Sequence, residues 1–368
     1  MIPRSCASHI TNKNCFRLHL YARSLVIATS LAIAAVTSVS TSSRADEGGV
    51  SFWIPGFFGS LAATPQQPGF SLATIYYHTS VSGGGDLTFA RQVSRGNITT
   101  TFSGNLTVNL DAKPDLVLTA PSYVFATPVM GGQAAVTLLV PYGRSQASVD
   151  ATLTGALGPV GFTVSGSLDQ SVTGFGDLVP QFSLRWNKGV HNLMTYVTGN
   201  LTTGRYDLTR IANLGIGHNV IDAGGGYTYF DPATGHELSA VLGFTYNFEN
   251  VHTQYQNGID MHLDWGASQF LSKQLQIGLV GYFYDQLSCD SGVGDRVGCF
   301  ESRVGGIGPQ IGYMFPINKE YQGYLNFKGY WEFDAAHRAD GWNTWLTFAI
   351  SPAPRSDVPP MSGRLLTK

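Results

Sequence analysis

Two neighbouring stretches, residues 237–248 and 260–268, alternate apolar and polar positions with a period of two. In the first, Leu238, Ala240, Leu242, Phe244, Tyr246 and Phe248 fall on one side, and Glu237, Ser239, Val241, Gly243, Thr245 and Asn247 on the other. In the second, Met261, Leu263, Trp265 and Ala267 oppose Asp260, His262, Asp264, Gly266 and Ser268. Successive side chains of a strand point to opposite faces, so each stretch predicts a strand with one apolar and one mainly polar face. In a sandwich the apolar face would meet a second sheet. In a transmembrane barrel it meets lipid, and the polar face lines the lumen.

The pattern recurs at residues 177–187, 191–201, 219–230, 275–286, 304–315, 321–333 and 342–350. Before these come 69–79, the Thr-rich 97–127 with a break near Ala112-Lys113-Pro114, and 133–141. Residues 142–174 are rich in Ser, Gly and Thr, with weak alternation only at 161–168. Taking 97–127 as one strand gives twelve strands; splitting it and pairing 161–168 gives fourteen. Connection length separates barrel from sandwich. Residues 187–191, 231–236, 271–273 and 316–320 are short turns, whereas 202–218, 249–259, 287–303 and 334–341 are longer. Short turns at one end and long loops at the other mark an outer-membrane barrel with its short turns periplasmic. Aromatic residues gather at strand ends (Tyr229, Phe230, Tyr246, Phe248, Phe315, Tyr321, Trp331, Phe333), as an interfacial girdle requires. The expected fold is all-β: a transmembrane antiparallel up-and-down barrel over residues 69–350, with both termini periplasmic.

The flanks do not alternate. Arg4, Lys13, Arg17 and Arg23 precede an apolar core at 25–36, and Ser43-Arg44-Ala45 supplies small residues at a cleavage site, so residues 1–45 predict a signal peptide. That core is shorter than the roughly 20 residues a membrane helix needs. No later stretch is long and apolar enough for one, so a membrane-embedded mature chain has to be a closed barrel. Residues 46–68, centred on Trp53-Ile54-Pro55-Gly56-Phe57-Phe58-Gly59, predict an irregular segment and a candidate plug for the barrel. Residues 351–368 form a polar, Pro-rich tail. Charged residues make up 12% of the chain, about half the usual share, and the net charge of −2 leaves no basic footprint for nucleic acid.

Cys6 and Cys15 depart with the signal, leaving Cys289 and Cys299 around a Gly- and Asp-rich loop. In an oxidising, exported setting they predict a disulfide. Cys289-Asp290-Ser291-Gly292 resembles a serine nucleophile's surroundings, but no His or acid partner is specified. Gly305-Gly306-Ile307-Gly308 is followed by no crossover helix, so it is not a dinucleotide loop. Neither an enzyme nor a cofactor is expected.

The polar faces predict a lumen lined by Arg185, Asp222, Glu237, His262, Asp264, Lys328 and Glu332. These form either a solute-contacting constriction or an interior network. Gly243 reads as an open lumen position. In the loop at 202–218, Arg205, Tyr206, Asp207, Arg210 and Asn213 predict an extracellular cluster ordered by Arg–Asp bonding or touching solute.

Residues 53–59 (WIPGFFG), 174–186 (GFGDLVPQFSLRW), 202–215 (TTGRYDLTRIANLG), 228–250, 253–265 (TQYQNGIDMHLDW) and 306–313 (GIGPQIGY) carry a family likeness. Over most of its mature length the chain resembles the MetA-pathway of phenol degradation family of outer-membrane proteins. That resemblance implies a transporter-like barrel, akin in architecture to channels for hydrophobic compounds, in a Gram-negative outer membrane with lipid and lipopolysaccharide around it. It further implies passive uptake of small hydrophobic or aromatic solutes. A general diffusion porin and a structural or adhesive barrel are the alternatives. One departure is the C-terminus, where Phe348 lies well ahead of a polar tail rather than closing the chain.

Overall fold

The computed structural model describes residues 51–95, 98–157, 160–295, 299 and 301–354. The expected signal segment and nearly all of the C-terminal tail lie outside these residues. Fourteen antiparallel strands and no helix occur among them: β1 (Gly69–Arg95), β2 (Ile98–Ala112), β3 (Asp115–Val124), β4 (Gln133–Leu157), β5 (Val160–Phe175), β6 (Val179–Lys188), β7 (His191–Gly199), β8 (Val220–Asp231), β9 (His236–Asn247), β10 (Asp260–Phe270), β11 (Leu275–Gln286), β12 (Arg303–Pro316), β13 (Tyr321–Ala336) and β14 (Asp340–Pro352). The sheet closes on itself through β14 and β1, paired from Leu72↔Ile350 to Ser82↔Asp340. Closure leaves the barrel wall without an edge, which lipid demands.

The fourteen strands make twelve staves. β2 and β3 are two halves of one stave between β1 and β4, since β1 pairs Val81 with Ala112 and then His78 with Asp115. The break falls at Lys113-Pro114, where proline has no N–H for the ladder and holds its predecessor extended. β5 and β6 likewise follow one another along β4, with Gly143↔Gly174 and then Leu139↔Val179. Five steps on one side meet four on the other, so a bulge carries the extra residue and reverses which positions of β6 face inward. Both strand counts read from the sequence therefore describe this barrel.

In the wall, the alternation sorts lipid from lumen as expected. Leu238, Leu242, Phe244 and Tyr246 of β9 are exposed outward, while Glu237, Ser239, Val241, Thr245 and Asn247 are buried inward. Short turns join β6–β7, β8–β9, β10–β11 and β12–β13 at the end where the chain enters and leaves the sheet. One connection differs: residues 334–341 are expected as a long loop, but β13 runs on to Ala336 and only three residues separate it from β14. A register shift between Arg303 and Gly305, with Asp334 at φ 53°, interrupts the inside–outside rhythm there and hides the strand end in the sequence.

The larger difference lies at the other end. β1, β2, β4 and β5 continue past the rim as a four-stranded sheet in that order, joined by Arg95↔Ile98, Phe102↔Leu157 and Leu157↔Val160. The β4–β5 hairpin pairs from Tyr142↔Phe175 to Leu157↔Val160, about 50 Å of strand at roughly 3.3 Å per residue. The sequence pattern ends the first strand at 79 and leaves most of 142–174 irregular, because Gly, Ser and Thr dilute the alternation in both places.

Candidate functional site: the barrel lumen and its N-terminal segment

The inward positions of seven strands converge on residues 53–63. This segment has no alternation to pair as a strand, so its backbone polar groups need partners, and barrel side chains supply them. The Asp264 carboxylate on β10 accepts the amides of Gly56 (2.9 Å) and Phe58 (3.1 Å). Opposite it, Lys328 Nζ on β13 donates to the carbonyls of Gly56 (2.6 Å), Phe57 (3.3 Å) and Phe58 (3.2 Å). An acid holds the N–H side of this turn and a cation holds the C=O side. Each buried charge is thereby met by backbone dipoles instead of by a direct ion pair, and charge-assisted bonds of this kind are the stronger ones. Gly56 adopts φ +85°, and a Cβ there would lie 2.9 Å from the Tyr330 ring, so the turn requires glycine.

Further along, the Leu61 amide donates to Glu237 Oε1 (2.9 Å) and the Ala63 amide to Thr228 Oγ1 (3.1 Å). Ser60 Oγ meets Ser268 Oγ (2.7 Å) and accepts from Gln310 Nε2 (2.5 Å). The aromatic residues of the segment face the same lumen. Trp53 stacks on His262 with ring centroids 3.6 Å apart, and Phe58 lies 5.4 Å from Tyr196 and Phe57 6.1 Å from Trp345. Met194 and Val241 complete the apolar surroundings of Trp53.

All seven expected lumen residues point inward; six are buried and Glu332 is partly so. They do not form one constriction. Asp264, Lys328 and Glu237 hold the segment. Asp222 bonds His262 Nε2 (3.0 Å) and accepts from the Thr245 hydroxyl (2.6 Å), behind Trp53. Glu332 accepts from Tyr282 Oη (2.8 Å) and from the Gly341 amide (2.8 Å), away from the segment. Among the described residues, Arg185 donates to Ser183 Oγ (2.7 Å), its buried Nε has no acceptor and no carboxylate pairs with it. Gly243, read from the sequence as open, is closed in: a Cβ there would press on Tyr196 Oη and the His262 ring.

The loop cluster holds together in part: Asp207, Arg210 and Asn213 bond one another, while Arg205 and Tyr206 reach other partners. Arg205 donates to the Thr173 carbonyl (2.8 Å), Tyr206 Oη accepts from Asn250 Nδ2 (3.0 Å), and Arg210 and Asp207 make a half-exposed pair at 3.5 Å. Asn213 ties the loop by accepting the Asp207 amide (2.9 Å). Both ends of the loop are fastened by Asp177, at the β5–β6 bulge, whose carboxylate accepts the amides of Gly204 (2.8 Å) and Ile216 (3.1 Å) and Asn200 Nδ2 (3.0 Å). Cys289 and Cys299 are disulfide-bonded. Sequence reasoning did not single out Asp177, Gln310, Thr228 or Tyr196. Gln310, Thr228 and Tyr196 stand at inward positions of alternating strands, which was the signal available; Asp177 stands at a break, where alternation is silent.

Residues 95–348 match the model of the family described as MetA-pathway of phenol degradation. Among solved structures, the chain is similar to an outer membrane channel from Pseudomonas putida at 12% identity and a TM-score of 0.52, covering 82% of this chain and all of that one. A Pseudomonas aeruginosa FadL homologue aligns over 84% of this chain and 96% of that one at 10% identity, with a TM-score of 0.39. No curated protein matches. At 12% identity the likeness to the Pseudomonas putida channel speaks for the fold alone.

Proposed function

The chain belongs to the MetA-pathway of phenol degradation family and has the fold of an outer-membrane channel, and from this premise we propose that it admits small hydrophobic, including aromatic, compounds by passive diffusion, with residues 51–64 as a displaceable plug. The observation that carries the reading is the way the segment is held. Side chains from the wall grip its backbone, and its own Trp53, Phe57 and Phe58 supply the aromatic filling of the lumen. Contacts among exchangeable aromatic faces can be replaced by an aromatic solute, while the Asp264–Lys328 clamp restores the closed state. Termini and short turns then lie in the periplasm, and the projecting sheet and long loops outside the cell.

The test releases the clamp. Asp264→Ala with Lys328→Ala removes five backbone hydrogen bonds to the segment together with both buried charges. In proteoliposomes the double variant should swell faster in small sugars and pass toluene or benzyl alcohol faster than wild type. A folded double variant with wild-type swelling and wild-type flux would refute the plug, and a wild type that excludes every small aromatic compound would refute the channel.

A further inference from the structure

Beyond the rim, the alternation of the wall continues with its sense reversed. Tyr76, Tyr142 and Phe175 are outward and exposed at the rim, and Tyr142 and Phe175 pack edge-to-face at 4.9 Å. They are the last large apolar side chains on the outer face of these strands among the described residues, in the place of an interfacial girdle. Above them the outer face carries Asn109, Asp150, Thr152, Ser165 and Ser167. The inner face, continuing the parity of the buried Tyr77, Leu118 and Leu139, carries cross-strand apolar rows: Leu106–Leu153–Val164 and Leu110–Val149–Leu168. From Ala147 to Gly155 on β4, and from Phe162 to Val172 on β5, no inward position is charged. Ile211, Ala212 and Leu214 of the β7–β8 loop cover the base of this face at Ala147 and Val172. Higher up, Val164 is 38% and Leu168 44% exposed.

An apolar face beyond the girdle has no lipid to meet, and burying apolar surface is its main source of binding free energy. We infer that the inner face of the projecting sheet is a capture surface for uncharged apolar solute, which it concentrates at the mouth before the lumen admits it. Continuity selects this occupant: the rows stand on the same staves and the same parity as the lumen lining, so material on them is already on the path inward. A second copy of the chain would have to bring its sheet across that mouth, which the test below detects. The inference rests on the channel reading for its purpose but not for its measurement.

The experiment uses the full chain in nanodiscs, with the uncharged fluorophore N-phenyl-1-naphthylamine as the probe, and in proteoliposomes for flux. Val164→Asn with Leu168→Asn alters the inner face of an edge strand, and Ser165→Asn with Ser167→Asn is its outer-face control. The inner-face variant should bind the probe roughly tenfold more weakly, as expected for two lost apolar contacts. It should also lower aromatic flux at low solute concentration by a similar factor while leaving maximal flux unchanged. The control should match wild type. Should the double variant not fold, Leu168→Asn alone carries the prediction at about threefold. Probe binding unchanged by the inner-face variant overturns the inference, as does a sheet-dependent dimer that excludes the probe. Lost probe binding in a protein whose wild type passes no solute would uphold the capture surface and refute the channel; unchanged binding with normal flux would do the reverse.

Discussion

Strand β9 of the wall and strand β5 of the projecting sheet obey the same two-residue period and use it in opposite senses. On β9 the outward positions are Leu238, Leu242, Phe244 and Tyr246, and the inward ones include Glu237, Ser239 and Thr245. On β5 the outward positions are Thr163, Ser165, Ser167 and Asp169, and the inward ones are Val164, Gly166 and Leu168. Period two declares a strand with unlike faces; it does not say which medium each face meets. The wall places its apolar side in lipid because nothing else surrounds it. The sheet stands beyond the aromatic residues of the rim, so its outer side meets water.

The most severe way to test this contrast is to put the same charge on both apolar faces. Leu242→Arg, at mid-strand in the wall, should cost about 2–4 kcal/mol, and the protein should lose heat-modifiable folding on gels. Leu168→Arg, at a comparably exposed apolar position on the sheet, should fold like wild type because water reaches it. Equal loss of folding by both would put the sheet in lipid and end the comparison.

A second variant sharpens it at the rim. The β11–β12 connection bridges Ser291 to Gln256 of the β9–β10 loop and is closed by Cys289–Cys299, ten residues apart. Replacing both with serine should loosen this loop by about 2–3 kcal/mol, read as faster limited proteolysis within 287–303. The barrel's own melting should stay unchanged.

A third change probes the lumen side of the wall. Arg185 is buried with a single side-chain acceptor and, among the described residues, no carboxylate partner. Removing a charge so poorly compensated usually costs little, so Arg185→Met should alter stability by no more than about 1 kcal/mol. Asp264→Ala should cost more, because it strands the buried amides of Gly56 and Phe58. Denaturant midpoints of the two variants give the order directly.

The smallest effect concerns the loop at the base of the sheet. The Thr209 hydroxyl and amide hold the Asp207 carboxyl below its ordinary value of 3.8. A depressed carboxyl contributes order that is fully present above the unfolded value and lost as pH falls through the lower, folded one. Amide exchange at Thr209 should therefore stay protected down to the ordinary carboxylate range and quicken only below it. Asp207→Asn should remove that pH dependence.

Much of the wall was readable because lipid enforces its rule at every second position. Residues 237–248 and 260–268 state both strand and facing, and the short-turn, long-loop alternation supplies closure. Trp53–Phe58 was recognisable as non-strand, and Cys289 with Cys299 as a pair, from composition and spacing alone. Other features depended on the third dimension. Gly243 looks open in a list of residues, yet Tyr196 and His262 from other strands fill its space. Asp264 and Lys328 read as two lumen charges among seven, and only their positions on either side of one turn make them a clamp. Asp177 orders a loop more than 25 residues downstream because a bulge points it there. Local alternation is set by the backbone, which every residue reports on its own. Which surface meets lipid, solvent or a neighbour is set by the strands beside it, and a strand cannot encode that alone.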